Sequence, residues 1–365
     1  MKTVYVIIPA LEPENTLPEY IIELQSRIHS LVVVIDDGSG EAYRGIFDRV
    51  SRLEGCTVLR HHKNLGKGRA LKTGFEYVLK DAGDLHGVLV LCADCDGQHL
   101  AEDGIRLLKT AERCQNTLVL GVRDFSDESV PWKSRFGNHI SSALFRFLTG
   151  VELKDTQTGF RAFGGSLLER MLCIPGERFE YETEVLIEFA GEGIPILTEK
   201  TETIYVNENE DTHFHPVRDS LQVTGVLMRE PARFCLVSAL CALLDVGLFW
   251  LLAGTGRPVQ EWSPAGLGRI AAATAAARVL SAAVNFTMNK NWVFRTEEAG
   301  RVQRYIILFT GLMAASAVSV YLVSSVLGIR PAAAKLFCDG VLFLLSYRIQ
   351  KMWVFARRKK RREDI

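Results

Sequence analysis

No charge of either sign dominates this chain: 43 Lys and Arg balance 43 Asp and Glu across 365 residues. That balance excludes the uniformly basic field on which bulk nucleic-acid binding depends, so no nucleic-acid partner is expected. A disulfide framework is missing too. Cys56, Cys92, Cys95, Cys114, Cys173, Cys235, Cys241 and Cys338 are scattered without a repeated spacing, which points to a reducing compartment for the soluble part. Cys92 and Cys95 are spaced as CxxC, but they have no second pair and sit in strand context, so zinc or redox use is not expected. No Walker loop occurs, because the GxxxxGK(S/T) spacing is absent. No signal peptide is visible either: the apolar start, Val4 to Ala10, is short and broken by Pro9, which suits a first strand.

What is present is divided unevenly. Up to about Met228 the sequence is charged and alternates strand and helix patterns; beyond it long apolar runs take over and end in a basic tail, Arg357 to Arg362. We therefore expect two domains, 1–228 and 229–365. In the first, β-branched runs at Val4–Ile8, Leu31–Ile35, Thr57–Leu59, Val88–Cys92 and Leu118–Leu120 alternate with helical patterns near Leu17–Ile28, Tyr43–Leu53, Arg69–Leu79 and Ala101–Ala111. Such alternation predicts a mostly parallel sheet with crossover helices.

Chemistry gathers where these strands end. Asp94-Cys95-Asp96-Gly97-Gln98 follows the fourth strand, the usual position of ligands in open α/β sheets. Read as extended, Asp94, Asp96 and Gln98 share one face and can converge on a hard cation, Mg²⁺ or Mn²⁺, with substrate phosphates completing its shell. An acidic turn capping the next helix is the plainer reading. Asp36-Asp37-Gly38-Ser39 ends the second strand, where Asp36 and Asp37 can accept from a uracil or a ribose. Asn64 to Ala70 opens the third helix. Gly66 and Gly68 there permit close backbone approach, and Lys67 and Arg69 offer cations to a diphosphate.

Taken in order, Pro9-Ala10-Leu11-Glu12-Pro13-Glu14, DDGS and DxDxQ resemble the family 2 glycosyltransferases, and most of all the polyprenyl-phosphate enzymes related to dolichol-phosphate mannose synthase. Gly121 to Asp124, Ser134 to Asn138 and the DTQTGFR segment from Asp155 to Arg161 match as well, over roughly the first two hundred residues. Glu12-Pro13 stands where the family more often has Asn-Glu, and no QxxRW segment occurs, which counts against a processive synthase. The resemblance implies an α/β GT-A-type nucleotide-sugar-binding domain and inverting transfer from a UDP- or GDP-linked sugar to a polyprenyl phosphate. It implies donor contacts from Pro9, Leu11, Glu14, Asp36, Asp37, Lys67, Gly68 and Asp94, metal contacts from Asp96 and Gln98 with Asp94 nearby, and phosphate contacts from Arg123 and Arg135. Asp155 corresponds to an acidic residue that orients the acceptor or acts as base, with a capping role as the alternative. Arg218, in the polar loop after a strand at Ile196–Val206, is a diphosphate candidate. In that loop His213 and His215 flank Phe214, but without a third ligand they are not taken as a metal pair. Glu180, Glu182 and Glu184 open a helix, where acids are ordinarily dipole partners. From Arg135 onward, Phe136, Ile140, Leu144 and Leu148 recur at helical spacing, which suits an interfacial helix or a core helix equally.

The second half carries four apolar segments, about 234–253, 267–288, 305–327 and 332–355, each near the roughly 20 residues needed to span a bilayer. Lys290-Asn291-Trp292-Val293-Phe294 and Lys351-Met352-Trp353-Val354-Phe355 end the second and fourth alike, and Arg233-Phe234 and Arg304-Tyr305 begin the first and third alike. Two helical hairpins in one orientation follow, with basic and Trp residues at one interface. The positive-inside rule then places the catalytic half and both termini in the cytoplasm of a multi-pass membrane protein. This half resembles the GtrA-like domain, an all-α four-helix transmembrane family associated with polyprenyl-linked sugars. Arg278 and Lys335 are candidates to hold a lipid phosphate; the alternative is mutual neutralisation, Lys335 with Asp339 and Arg278 with Asp245. A carrier role for the membrane half, simple anchoring and a homo-oligomeric state are left open.

Overall fold

Short runs of Val, Ile and Leu, buried on both faces, build the centre of the sheet of the first half. In the computed structural model, which describes residues 2–114, 116–123, 132–202, 216–253, 264–296, 301–328 and 330–356, two compact units divide between Leu227 and Met228. The first unit holds strands β1 (Thr3–Ala10), β2 (Leu31–Asp36), β3 (Cys56–Arg60), β4 (Val88–Cys92), β5 (Leu118–Arg123), β6 (Arg161–Gly164) and β7 (Ile196–Thr201). Their spatial order is β3-β2-β1-β4-β6-β5-β7. β1, β2, β3 and β4 are mutually parallel, and β6 runs antiparallel between β4 and β5. β6 is absent from the sequence reading, because Arg-Ala-Phe-Gly is only four residues and ends in a weak strand former.

Helices α1 (Leu17–Arg27), α2 (Arg44–Val50), α3 (Lys67–Asp81) and α4 (Ala101–Arg113) fall where the periodicity places them. α1, α2 and α4 cover one face of the sheet, where Leu17, Ile21, Leu24, Phe47 and Leu107 are fully buried against Val6, Ile8, Val32 and Val34. α5 (Trp132–Thr149), α6 (Leu168–Leu172) and α7 (Glu180–Glu192) complete the unit. The buried stripe of α5 is Asn138, Ser141, Phe145 and Leu148, whereas Ile140 is 52% exposed. The inward face is therefore set by polar anchors as well as apolar residues: Asn138 donates to the Lys154 carbonyl at 2.5 Å and the Ser141 and Thr156 hydroxyls are 2.8 Å apart.

Considered alone, the second unit is helical: the rest of α8 (Pro216–Ala253), α9 (Pro264–Met288), α10 (Val302–Leu327) and α11 (Pro331–Ile349). Three described stretches, Leu221–Ala253, Ile270–Val293 and Val302–Val326, are long and apolar enough to cross a membrane. α11 is expected as a fourth span but carries Lys335, Asp339 and Arg348, so it does not reach the same apolar standard. α9 and α11 each end in a π turn, Asn289–Val293 and Gln350–Val354, closed by Phe294 N–H to the Asn289 carbonyl at 2.9 Å and Phe355 N–H to the Gln350 carbonyl at 2.7 Å.

The repeat seen in the sequence is a two-fold relationship in space. Arg233 lies over Trp292 at 5.6 Å, and Arg304 over Trp353 at 6.0 Å. Phe234 packs on Tyr347 at 5.2 Å, and Tyr305 on Phe286 at 5.3 Å, so each hairpin's first helix meets the other's second. Where the two copies meet, the Asn289 amide donates to the Gln350 amide oxygen at 3.0 Å and Phe294 stacks on Phe355 at 5.1 Å.

Candidate active site

Parallel pairing brings three loops to one edge of the sheet, beyond the carboxyl ends of β1, β2 and β4. Backbone bonds join them: Asp37 N–H donates to the Ala10 carbonyl at 2.8 Å and Ala93 N–H to the Ile7 carbonyl at 3.1 Å. Glu12 N–H donates to the Ser39 hydroxyl at 2.8 Å, although Glu12 itself is held at φ 47. Pro9 is buried at the end of β1, Leu11 is half-buried and Glu14 is exposed at the loop rim.

The Asp94 to Gln98 segment is a turn and not an extended strand. Gly97 takes φ 71, and Asp96 Oδ1 accepts from Gln98 N–H at 3.1 Å. The local side-chain bond stabilises the turn against continued extension. Within it the two carboxylates have different neighbours. Asp94 Oδ1 is 2.7 Å from Lys67 Nζ and Oδ2 is 3.3 Å from His99 Nε2. Burial pushes the Asp94 carboxyl up, but Lys67 and His99 outweigh it and hold the group well below the ordinary carboxylate range. Asp96 has no ion-pair partner among the described residues; burial first, and the Asp94 charge second, push its carboxyl up.

Lys67 itself sits between two acids, with Glu182 Oε1 at 3.2 Å on its far side. Burial opposes its charge, but Asp94 and Glu182 more than offset that and raise its pKa. Gly159 lies directly alongside: a β-carbon there would stand 2.7 Å from both Asp94 Oδ2 and Lys67 Nζ. His99 is stacked on Phe160 at 4.3 Å, so the DTQTGFR segment supports the turn from beside it.

Asp37 has a structural task. Its Oδ1 lies 2.7 Å from His61 Nδ1 and accepts from Leu65 N–H at 2.9 Å, while Oδ2 accepts from Gly66 N–H at 2.8 Å. Through these bonds it ties the turn that presents Lys67. Asp36 Oδ1 accepts from Ser39 N–H at 2.9 Å. Gly66 needs its freedom at φ 108, while Gly68 is buried where a β-carbon would press within 2.6 Å of Tyr181 Cβ, a packing reason for glycine.

Arg123 and Asp155 are brought together. Arg123 Nε donates to Asp155 Oδ2 at 2.8 Å, and Asp155, which is fully buried, also accepts from Gln157 N–H at 3.0 Å. The side chains of Arg135, in α5, and Arg218, in α8, lie outside the described residues, as do His213 and His215. In the membrane unit the expected lipid-phosphate candidates have carboxylate partners: Arg278 Nε is 3.4 Å from Asp245 and Lys335 Nζ is 2.8 Å from Asp339.

Two family models match this chain, Glycosyl transferase family 2 over residues 5–174 and the GtrA/DPMS transmembrane domain over residues 225–355. The chain is a membrane-bound glycosyltransferase. Similar proteins include an uncharacterized protein of Methanocaldococcus jannaschii, 26% identical over 61% of this chain and 87% of that one. Another is UDP-N-acetylglucosamine–dolichyl-phosphate N-acetylglucosaminyltransferase of Methanococcus voltae, 26% identical over 51% of this chain and 79% of that one. Polyprenol monophosphomannose synthase of Mycolicibacterium smegmatis is 28% identical over 46% of this chain and 63% of that one. Among solved structures, glucosyl-3-phosphoglycerate synthase of Mycobacterium tuberculosis gives a TM-score of 0.46 at 18% identity, over 62% of this chain and 79% of that one.

The candidate site fits a divalent cation in kind: two carboxylates and an amide oxygen are hard ligands. No group of three His, Cys, Asp or Glu side chains that would cage a metal occurs among the described residues. Such a donor set suits an ion whose remaining ligands are substrate phosphates. In the sequence His99 and Gly159 carry no separate site role, and Glu182 reads as a dipole partner. The available signals were the position of His99 one residue after DxDxQ and the glycine preceding Phe160.

Proposed function

We propose that this enzyme transfers a sugar from a UDP- or GDP-linked donor to a polyprenyl phosphate, by an inverting displacement that depends on Mg²⁺ or Mn²⁺. The observation that carries this reading is the unequal pair at the β4 turn: Asp94 held by Lys67 and His99, and Asp96 with no ion-pair partner among the described residues. Asp96 and the Gln98 side chain would hold the ion, which supplies charge neutralisation to the departing nucleoside diphosphate. Asp94, fixed by Lys67, orients the donor. The family domain, and relatives named for polyprenyl and dolichyl phosphate acceptors, support the acceptor class.

A phosphate acceptor also accounts for Asp155. With a second pKa of about 6, a phosphate monoester is largely dianionic at neutral pH and needs no strong base. A fully buried Asp155 on Arg123 therefore suits positioning of a phosphate-binding guanidinium better than proton removal. The basic residues near Trp292 and Trp353 support a cytoplasmic catalytic unit by the positive-inside rule.

The test is a panel of UDP- and GDP-sugars with undecaprenyl phosphate, purified protein and Mg²⁺ or Mn²⁺, with and without chelator. A chelator-sensitive lipid-linked sugar is expected. No lipid-linked product from any donor, together with wild-type nucleotide binding by Asp96→Asn, would overturn the reading.

A further inference from the structure

We propose that Glu182 is a positioning residue of the donor site, acting through Lys67 to set the place of the Asp94 carboxylate and the net charge beside the cation turn. The proposal rests on the reading of Asp94, Asp96 and Gln98 as the metal corner.

An acid in the first turn of a helix normally points to solvent, where it meets the helix dipole. Glu182 does not. It is only 5% exposed, its backbone carbonyl accepts from the buried Arg161 at 2.9 Å, and its carboxylate points to α3, with Oε1 3.2 Å from Lys67 Nζ. Contact with Lys67 is Coulombic, without directed hydrogen-bond geometry at Oε1. Burying a carboxylate is costly unless a specific counter-charge accompanies it. Here that counter-charge is the same ammonium that holds Asp94 at 2.7 Å.

Charge counting gives the arrangement its meaning. Asp94, Asp96 and Glu182 bring three carboxylates together, and the single ammonium of Lys67 is shared between two of them, with the Arg161 guanidinium at the Glu182 carbonyl and His99 beside Asp94. Without Glu182, the ammonium would belong wholly to Asp94 and the cluster would attract a cation less. Without Lys67, attraction would rise, but Asp94 would lose the partner that fixes it. Gly159 lies directly against this pair: a β-carbon there would meet Lys67 Nζ at 2.7 Å.

The deciding measurement is Mn²⁺ binding to the purified full chain, followed by electron paramagnetic resonance of free Mn²⁺ and independent of turnover. Glu182→Gln is expected to raise the Mn²⁺ Kd on the order of tenfold, and Lys67→Gln to lower it by a similar factor. The double variant, which restores the net charge, should return to within about threefold of wild type. A role in packing alone would move both singles in one direction and make the double variant the weakest; that result overturns the proposal. If Lys67→Gln does not fold, Glu182→Gln weakening with recovery in Glu182→Asp supports the proposal, and unchanged Kd in Glu182→Gln overturns it. Wild-type protein that binds no Mn²⁺ would overturn the donor-site reading as well, which separates the two failures.

Discussion

Gly159 leaves no room for a side chain beside Asp94. A methyl group there would lie 2.7 Å from Asp94 Oδ2 and equally close to Lys67 Nζ, so the ion pair and Gly159 are sterically coupled. Gly159 does not occupy the left-handed region, hence the constraint comes from proximity and not from backbone strain. Because the obstructing atoms are side-chain ends, Gly159→Ala should fold and shift the pair aside. We expect nucleotide affinity measured with Mn²⁺ by calorimetry to fall by about tenfold, with little change in melting temperature. Wild-type affinity in this variant would mean that the position of Asp94 does not matter to the donor.

Asp155 and Arg123 offer a sharper test of mechanism. If Asp155 only positions Arg123, Asp155→Asn should lower kcat/KM by about a hundredfold while the pH profile keeps its shape. If Asp155 were the general base, the same substitution would remove the acidic limb of the profile. Complete burial of Asp155 favours the first outcome. Rate against pH for wild type and variant distinguishes them.

Much of this site is written in local sequence, because β1, β2 and β4 are short apolar runs ending in polar turns, and parallel pairing places those ends on one edge. What one sequence does not display is which acids share a cation. Lys67 meets Glu182 only because α3 packs on α7 through Gly68, and nothing local to Glu182 distinguishes it from Glu180 as a helix-opening acid. Asp94 to Gln98 reads in sequence as extended chain, with an acidic turn as the alternative, and Gly97 and the Asp96 side-chain bond to Gln98 select the turn. On α5 the expected apolar stripe is offset from the buried one, since Asn138 and Ser141 are anchored by hydrogen bonds that hydrophobic spacing does not report.

Asp96 should trade stability for function. Burial and the Asp94 charge raise its carboxyl above the unfolded value, so the ionised group disfavours the folded apoprotein. The sign follows: the penalty is absent below the ordinary carboxyl range, where the group is neutral in both states, and appears as pH rises through the folded pKa. Asp96→Asn should therefore raise the melting temperature of the metal-free protein at pH 7 and leave it unchanged at strongly acidic pH. The same variant should lose the stabilisation by Mn²⁺, which for wild type is about 2.7 kcal/mol at a hundredfold excess over Kd. Thermal unfolding in detergent at two pH values, with and without Mn²⁺, checks both halves.

In the membrane unit, the contact between Asn289 and Gln350 joins the two repeats at a buried point, where Asn289 has no exposed surface. Asn289→Ala leaves the Gln350 amide oxygen without that donor, and we expect a loss of about 1–3 kcal/mol. Replacing both residues with leucine should recover part of it, because two buried amides are then removed together. Unfolding of the three variants in the same detergent gives the comparison, and an undiminished Asn289→Ala would show that the repeats are held elsewhere.

The ion pair between Asp245 and Arg278 decides how the membrane charges are to be understood. Arg278 Nε lies 3.4 Å from Asp245 Oδ2, and Ser281 donates to Asp245 Oδ1 at 3.2 Å, so the acid is held by two groups from α9. A lone charge in the middle of a bilayer costs about 3 kcal/mol on insertion scales, whereas a paired one is largely compensated. Arg278→Ala should therefore destabilise the protein in nanodiscs by an amount of that order, through the abandoned Asp245 carboxylate. Asp245→Ala should do the same through the abandoned guanidinium, and the double variant should regain most of the loss, giving a large coupling energy in the cycle. A lipid-phosphate role predicts a different pattern: Arg278→Ala would lower acceptor affinity without a matching effect of Asp245→Ala, and the double variant would stay impaired. Melting temperatures in nanodiscs together with KM for undecaprenyl phosphate separate the two outcomes, and the Arg278–Asp245 distance favours the first.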